Sequence, residues 1–153
     1  MRAVVQRVSR AEVRVEGRVV GQIGPGLLVL VGIAVDDTPA TGQALAEKIV
    51  NLRIMDNEQG RMDRSLLETG GGVLCVSQFT LYGDTRKGRR PSYIRAAPPE
   101  AARALYQAFL DAMREVLRGH PVTLSAGVFQ AMMEVESVND GPVTILVDTE
   151  KVF

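Results

Sequence analysis

Three hydrogen-bonding side chains fall within four residues at Ser77-Gln78-Phe79-Thr80, directly after the apolar stretch Val73-Leu74-Cys75-Val76. A buried polar group without a partner costs about 1–3 kcal/mol. Such a cluster therefore belongs to an internal hydrogen-bond network or lines a site, and the residues alone leave both open. Read as one strand over 73–81, the segment puts Ser77 and Phe79 on one face and Gln78 and Thr80 on the other. Just downstream, Arg86, Lys87, Arg89, Arg90 and Arg95 crowd into a short run in a chain whose 18 Lys+Arg balance 18 Asp+Glu. Gly88 and Pro91 place this run in a loop. A solvated charged loop is its ordinary fate. Its position beside the polar cluster makes an anionic ligand, a phosphate backbone above all, the competing reading.

The other reactive residue types point to little chemistry. Cys75 is the only cysteine, so disulfide frameworks and multi-cysteine zinc sites are excluded. It sits mid-strand among apolar neighbours, as a small buried hydrophobe does, and a thiol enzyme built on it is the weaker alternative. The one histidine, His120, lies between Gly119 and Pro121 at an expected helix end. A His-pair metal motif is excluded, little remains for a Ser-His-Asp triad, and no metal or cofactor is expected. Gly24-Pro25-Gly26 and Gly70-Gly71-Gly72 each lead into an apolar strand rather than a helix, which argues against phosphate loops. No stretch approaches the ~20 apolar residues of a membrane span, and the first residues lack a signal-peptide block. The expectation is one cytoplasmic domain over 1–153, with no membrane and no DNA partner. Zero net charge means that any nucleic acid must be held by a local patch.

The elements that would position these residues are mostly strands. Val-rich, partly alternating patterns predict strands over 1–8 and 11–16, and Glu16-Gly17 turns the second into a strand over 18–23. The continuous apolar run 27–34 reads as a strand buried on both faces. Thr38 and Pro39 open a helix with Leu45, Ile49 and Leu52 on one stripe. The stretch 55–64 is polar and turn-rich. Pro98-Pro99-Glu100 opens a second helix, carrying Leu105, Phe109, Ala112 and Val116 and stopping at Gly119. Strands return over 122–125, 131–137 and 143–148, the last two separated by a hairpin turn at Asn139-Asp140-Gly141-Pro142. The expected fold is α/β: one strand-rich domain with mixed, barrel-like sheets and two helices packed on one face.

Taken together, several segments resemble the D-aminoacyl-tRNA deacylase family. They are the opening Arg2-Ala3-Val4-Val5-Gln6-Arg7-Val8, the run Gly26-Leu27-Leu28-Val29-Leu30-Val31-Gly32, Ser77-Gln78-Phe79-Thr80-Leu81, Arg90-Pro91-Ser92 and Asn139-Asp140-Gly141-Pro142-Val143-Thr144. One departure is local: Phe129-Gln130-Ala131-Met132-Met133 is similar to the family's Phe-x-Ala-Asp-Met, with Met132 where the acid stands.

The resemblance implies a homodimer with each active site built across the subunit boundary. Ser77, Gln78, Phe79 and Thr80 would form the pocket floor of one protomer. Gly141 and Pro142 would enter from its partner as a cis dipeptide and select chirality with main-chain atoms. The implied reaction is hydrolysis of the ester in D-aminoacyl-tRNA, and in glycyl-tRNA, with the L-aminoacyl ester rejected. In that scheme the N–H groups around Phe79 and Thr80 would stabilise the oxyanion. Gln78 would position the ribose or ester. Thr80 would attack as a nucleophile, or water would attack with help from the ribose 2′-OH. Arg86, Lys87, Arg89 and Arg90 would contact the tRNA. A non-enzymatic RNA-binding homodimer is the alternative from another class.

Overall fold

The structure, a computed structural model, describes residues 1–152. In chain order the elements are β1 (Arg2–Val15), β2 (Arg18–Ile23), β3 (Gly26–Gly32), α1 (Pro39–Val50), β4 (Met55–Asp56), β5 (Met62–Arg64), α2 (Leu66–Thr69), β6 (Gly71–Ser77), a 3-10 turn (Phe79–Tyr82), α3 (Pro99–Leu117), β7 (Val122–Ala126) and β8 (Glu134–Asp148).

The main sheet runs β2-β1-β3-β6-β7, with β8 paired along β1. The β3–β6 and β6–β7 ladders are parallel and the others antiparallel, which gives the expected mixed sheet. The sheet curls until β2 meets β7. The Gln22 N–H donates to Ser125 Oγ at 3.3 Å. A Cβ on Gly21 would lie 2.8 Å from the Ala126 carbonyl oxygen, so only glycine permits this approach. The result is a nearly closed barrel.

Alternation along the strands sorts two cores. Leu27, Val29, Val31, Val73 and Cys75 face the helices and pack with Leu45, Ile49, Phe109 and Met113. Leu28, Leu74, Val76, Val8, Val13 and Ile23 fill the barrel interior. Thr38 caps α1 as expected: the Thr41 N–H donates to Thr38 Oγ1 at 3.3 Å, and the Thr38 N–H donates to Thr41 Oγ1 at 2.7 Å. The Tyr106 hydroxyl ties α3 to β6 by donating to the Cys75 carbonyl at 3.0 Å.

Six local expectations are corrected. The two N-terminal strands are one, because register shifts around Val8 in the β1–β8 ladder absorb the exposed Ser9 and Arg10 without breaking it. The polar stretch 55–64 holds the small β4–β5 hairpin, and the one-turn α2 adds a third α-helix to the expected two. The strand predicted over 73–81 ends at Ser77, where the chain coils into the 3-10 turn. The stripe of α3 is centred on Tyr106, Phe109 and Met113, with Leu105, Ala112 and Val116 at its margin. No hairpin turn separates the last two strands, because β8 runs through Asn139-Asp140-Gly141-Pro142.

Candidate active site

The end of β6 is held in place by its neighbour. The Gln78 N–H donates to the Val31 carbonyl at 2.7 Å, the last link to β3 before the chain turns. The Leu81 N–H then donates to the Gln78 carbonyl at 3.3 Å and the Gly83 N–H to the Thr80 carbonyl at 2.9 Å. The first N–H groups of such a turn have no acceptor inside it, so those of Phe79 and Thr80 remain available. With the strand gone, the expected split of Ser77 and Phe79 from Gln78 and Thr80 on opposite faces is gone too. The turn instead brings Gln78 back to Thr80, and Gln78 Nε2 donates to Thr80 Oγ1 in a short bond. Among the described residues no carboxylate, imidazole or amine bonds that hydroxyl.

Phe79 projects outward, 57% exposed, with a cleft on either side. One cleft, about 340 Å³, runs from Val76, Ser77 and Gln78 across to Phe129, Met132 and Met133. The other, about 350 Å³ and largely apolar, lies among Phe79, Tyr93, Pro98, Pro99 and Phe129. The Tyr93 ring meets Phe79 edge-on, with centroids 5.1 Å apart. Met132 stands at the rim and is 91% exposed.

Gly141 and Pro142 are exposed in β8, and the bond between them is cis. Gly141 has φ 135°, and a Cβ there would lie 2.8 Å from the Val143 nitrogen, so the position requires glycine. Asn139 frames the segment: its Oδ1 accepts from the Val143 N–H at 2.9 Å, and its Nδ2 donates to Thr144 Oγ1 at 3.1 Å. Beneath lies Arg7, a residue that the motif reading passed over. It is only 7% exposed and donates to the Asp140 carbonyl at 3.0 Å, the Ile54 carbonyl at 2.9 Å and Asp56 Oδ1 at 2.9 Å. The signal was present in the sequence, since Arg7 shares the parity of the buried Ala3 and Val5.

One chain does not bring the two segments together. Gly141 lies level with Arg7, which pairs with Leu27, which pairs with Val73, and Ser77 is four residues further along β6. That is about 13 Å along the strands and three strands across, at about 4.8 Å each.

The basic loop leaves β6 beyond the turn. Backbone bonds between Asp84 and Ser92, at 2.8 and 2.9 Å, close its base. Asp84 binds Arg86 through both carboxylate oxygens and accepts the Arg86 N–H. Hydrogen bonds from the Arg86 side chain and N–H hold the Asp84 carboxyl well below the usual range. Arg95 pairs with Glu150 at 2.7 Å. Lys87, Arg89 and Arg90 are exposed and make no ion pair among the described residues.

Two residues stand apart from the clefts. Burial pushes the Cys75 thiol up to about 12, which disposes of a thiol nucleophile. His120 follows the α3 end and lines neither cleft. No group of His, Cys, Asp and Glu among the described residues could hold a metal ion, and no helix is long and apolar enough to cross a membrane.

The family model described as D-Tyr-tRNA(Tyr) deacylase matches residues 4–148. The chain belongs to the D-Tyr-tRNA(Tyr) deacylase family. Among its relatives, the D-aminoacyl-tRNA deacylase of Symbiobacterium thermophilum is 56% identical over the whole chain and 99% of that protein. That of Deinococcus deserti is 57% identical over 97% of this chain and 99% of its own. A solved structure described as the c-Myc DNA Unwinding Element Binding Protein superposes with a TM-score of 0.90 at 41% identity, covering 97% of this chain and 99% of that one. Another, of a probable eukaryotic D-amino acid tRNA deacylase, shares the fold with a TM-score of 0.80 at 17% identity, over 95% and 97%.

Proposed function

We propose that this deacylase-family chain hydrolyses the ester linking a D-amino acid to the terminal adenosine of tRNA, acting as a cytoplasmic homodimer of one-domain protomers. What carries the reading is that both motif segments are exposed rather than buried in structure. Phe79 stands out between two clefts, and Gly141 and Pro142 lie uncovered on β8. Because one chain holds them apart, the floor at Ser77, Gln78, Phe79 and Thr80 is completed by Gly141 and Pro142 from a second protomer.

In this scheme the terminal base enters the apolar cleft beside Phe79, Tyr93 and Phe129. The ester carbonyl points at the Phe79 and Thr80 N–H groups. As negative charge develops on its oxygen, those donors stabilise it, each by roughly 3–4 kcal/mol. Gln78 orients the ribose and Thr80 together through its amide. Water attacks the carbonyl carbon with the ribose 2′-OH assisting, and the ester bond breaks toward the ribose oxygen. An aminoacyl ester is already activated, so about 4–5 kcal/mol of stabilisation gives roughly a thousandfold.

Chirality is read by exclusion. Main-chain atoms of Gly141 and Pro142 fill the volume that an L side chain needs, whereas a D side chain points away. Glycine offers nothing to exclude and is cleaved as well. The test is a deacylation assay with D-tyrosyl-, L-tyrosyl- and glycyl-tRNA: the first and third are hydrolysed and the second is spared. Rapid loss of L-tyrosine overturns the exclusion scheme. Binding of tRNA without hydrolysis of any of the three leaves the non-enzymatic RNA-binding dimer.

A further inference from the structure

Between the basic loop and α3 stands Ile94, a residue that neither the core nor the hydrolysis employs. Ile94 is 86% exposed, yet it is no loose tip. The Asp84–Ser92 bonds anchor the chain before it. Behind it, the Ala96 N–H donates to the Tyr93 carbonyl at 2.9 Å, the Val35 N–H to the Arg95 carbonyl at 3.1 Å and the Ala97 N–H to the Ile33 carbonyl at 2.9 Å. A rigid backbone thus holds an isoleucine out in water. A single exposed aliphatic needs no explanation by itself. This one follows Tyr93, whose ring meets Phe79, and comes shortly after the loop that carries Lys87, Arg89 and Arg90, which make no ion pair among the described residues.

We propose that Ile94, with Lys87, Arg89 and Arg90, forms a binding site for the unpaired RNA nucleotides that precede the terminal adenosine of the substrate. The inference rests on the deacylase reading and extends it from the reacting nucleoside to the strand behind it. Single-stranded nucleic acid is held by apolar surfaces that take base faces, set beside a track of cations that takes phosphates. Here Phe79 meets Tyr93, Ile94 is the next residue in the chain, and the basic loop closes at Ser92 just before them, which offers places for the terminal nucleoside, a preceding base and phosphates. Arg86 is set apart from the other three because its Nε–Nη2 edge binds both carboxylate oxygens of Asp84, whose charge offsets its own. Its role is to stiffen the loop that presents the other three.

The test compares D-tyrosyl-tRNA with the D-tyrosyl ester of adenosine alone, which lacks the preceding nucleotides. Ile94→Ser raises KM for the tRNA by about three- to tenfold with kcat unchanged, a little less than loss of an aromatic stacking partner would cause. The same variant leaves kcat/KM for the adenosine ester unchanged, and Ile94→Leu restores the KM for tRNA. Arg89→Gln likewise affects only the tRNA substrate and flattens its salt dependence. The proposal is overturned if Ile94→Ser leaves the KM for tRNA unaltered, or if it weakens both substrates equally. If the unaltered protein cleaves neither ester, the deacylase reading falls and this inference falls with it; cleavage of both with no Ile94 effect removes the inference alone.

Discussion

The Thr80 hydroxyl accepts a hydrogen bond from the Gln78 amide, and an amide cannot take up the proton that a nucleophilic threonine must lose. Thr80→Val, which keeps the shape and removes the oxygen, is therefore expected to retain kcat within about tenfold in single-turnover deacylation. A variant that binds substrate but no longer cleaves it makes Thr80 the nucleophile instead. Arg7 makes the opposite case, a residue far from the cleft that matters through geometry. Its guanidinium joins the Asp140 carbonyl to Ile54 and Asp56, so Arg7→Met leaves the buried Ile54 carbonyl without that donor, at about 1–3 kcal/mol, and releases the Asp140 carbonyl. With Asp140 unanchored, the neighbouring dipeptide loses its fixed aim. The measurable outcome is a fall in the ratio of D- to L-tyrosyl-tRNA cleavage, beyond any loss of melting temperature. An unchanged ratio in a destabilised protein reduces Arg7 to a structural role. The arginine was legible from parity alone, because a charge stood where the alternation demanded an apolar residue. The Gln78–Thr80 bond was not legible, since it depends on a change of backbone that side-chain periodicity does not encode.

At the level of elements, the sequence pattern succeeded where one period persisted and failed where the chain changed course. Both long helices, the Thr38 cap and β3 follow from apolar spacing and capping residues. The end of β6 does not, because Phe79 and Leu81 extend the apolar pattern past the point where the backbone coils. β8 misleads in the opposite way: Asn139-Asp140-Gly141-Pro142 carries every mark of a turn, yet β8 continues through it, leaving the β1 ladder after Asn139 and rejoining it at Thr144. The basic loop was visible as a run of charge, but only the structure divides it. Removing Lys87, Arg89 and Arg90 together should flatten the slope of log KM against log salt by about 2, from roughly 0.7 for each single-strand phosphate contact. Arg86→Ala alone should change it little. Asp84, with its carboxyl lowered by Arg86, stays ionised above its unfolded value near 3.9. Whatever the latch contributes is fully present there and is lost only as pH falls through the lower folded value. The salt slope should accordingly be the same at about pH 6 and about pH 8. A slope that changes between them means that some other group titrates in the loop.

For the whole molecule, the decisive feature is distance. The sheet sets Gly141 about 13 Å along and three strands away from Ser77, and a barrel with two packed cores does not bend to close that gap. A site that uses both segments would therefore need two chains, and in the proposed dimer twofold symmetry would make two such sites. This arrangement can be separated from a one-chain site by mixing two inactive proteins. Ser77→Trp fills the floor of its own cleft. Gly141→Ala forces a Cβ to within 2.8 Å of the Val143 nitrogen and displaces the dipeptide. In a mixed dimer, one site combines both lesions, while the other joins the intact floor of the second variant to the intact dipeptide of the first. Random exchange makes half of the dimers mixed, so unfolding and refolding the two together should recover about a quarter of wild-type deacylation, although each alone shows almost none. If every site lies within one chain, no combination of the two restores an intact one, and activity stays at the level of the separate variants.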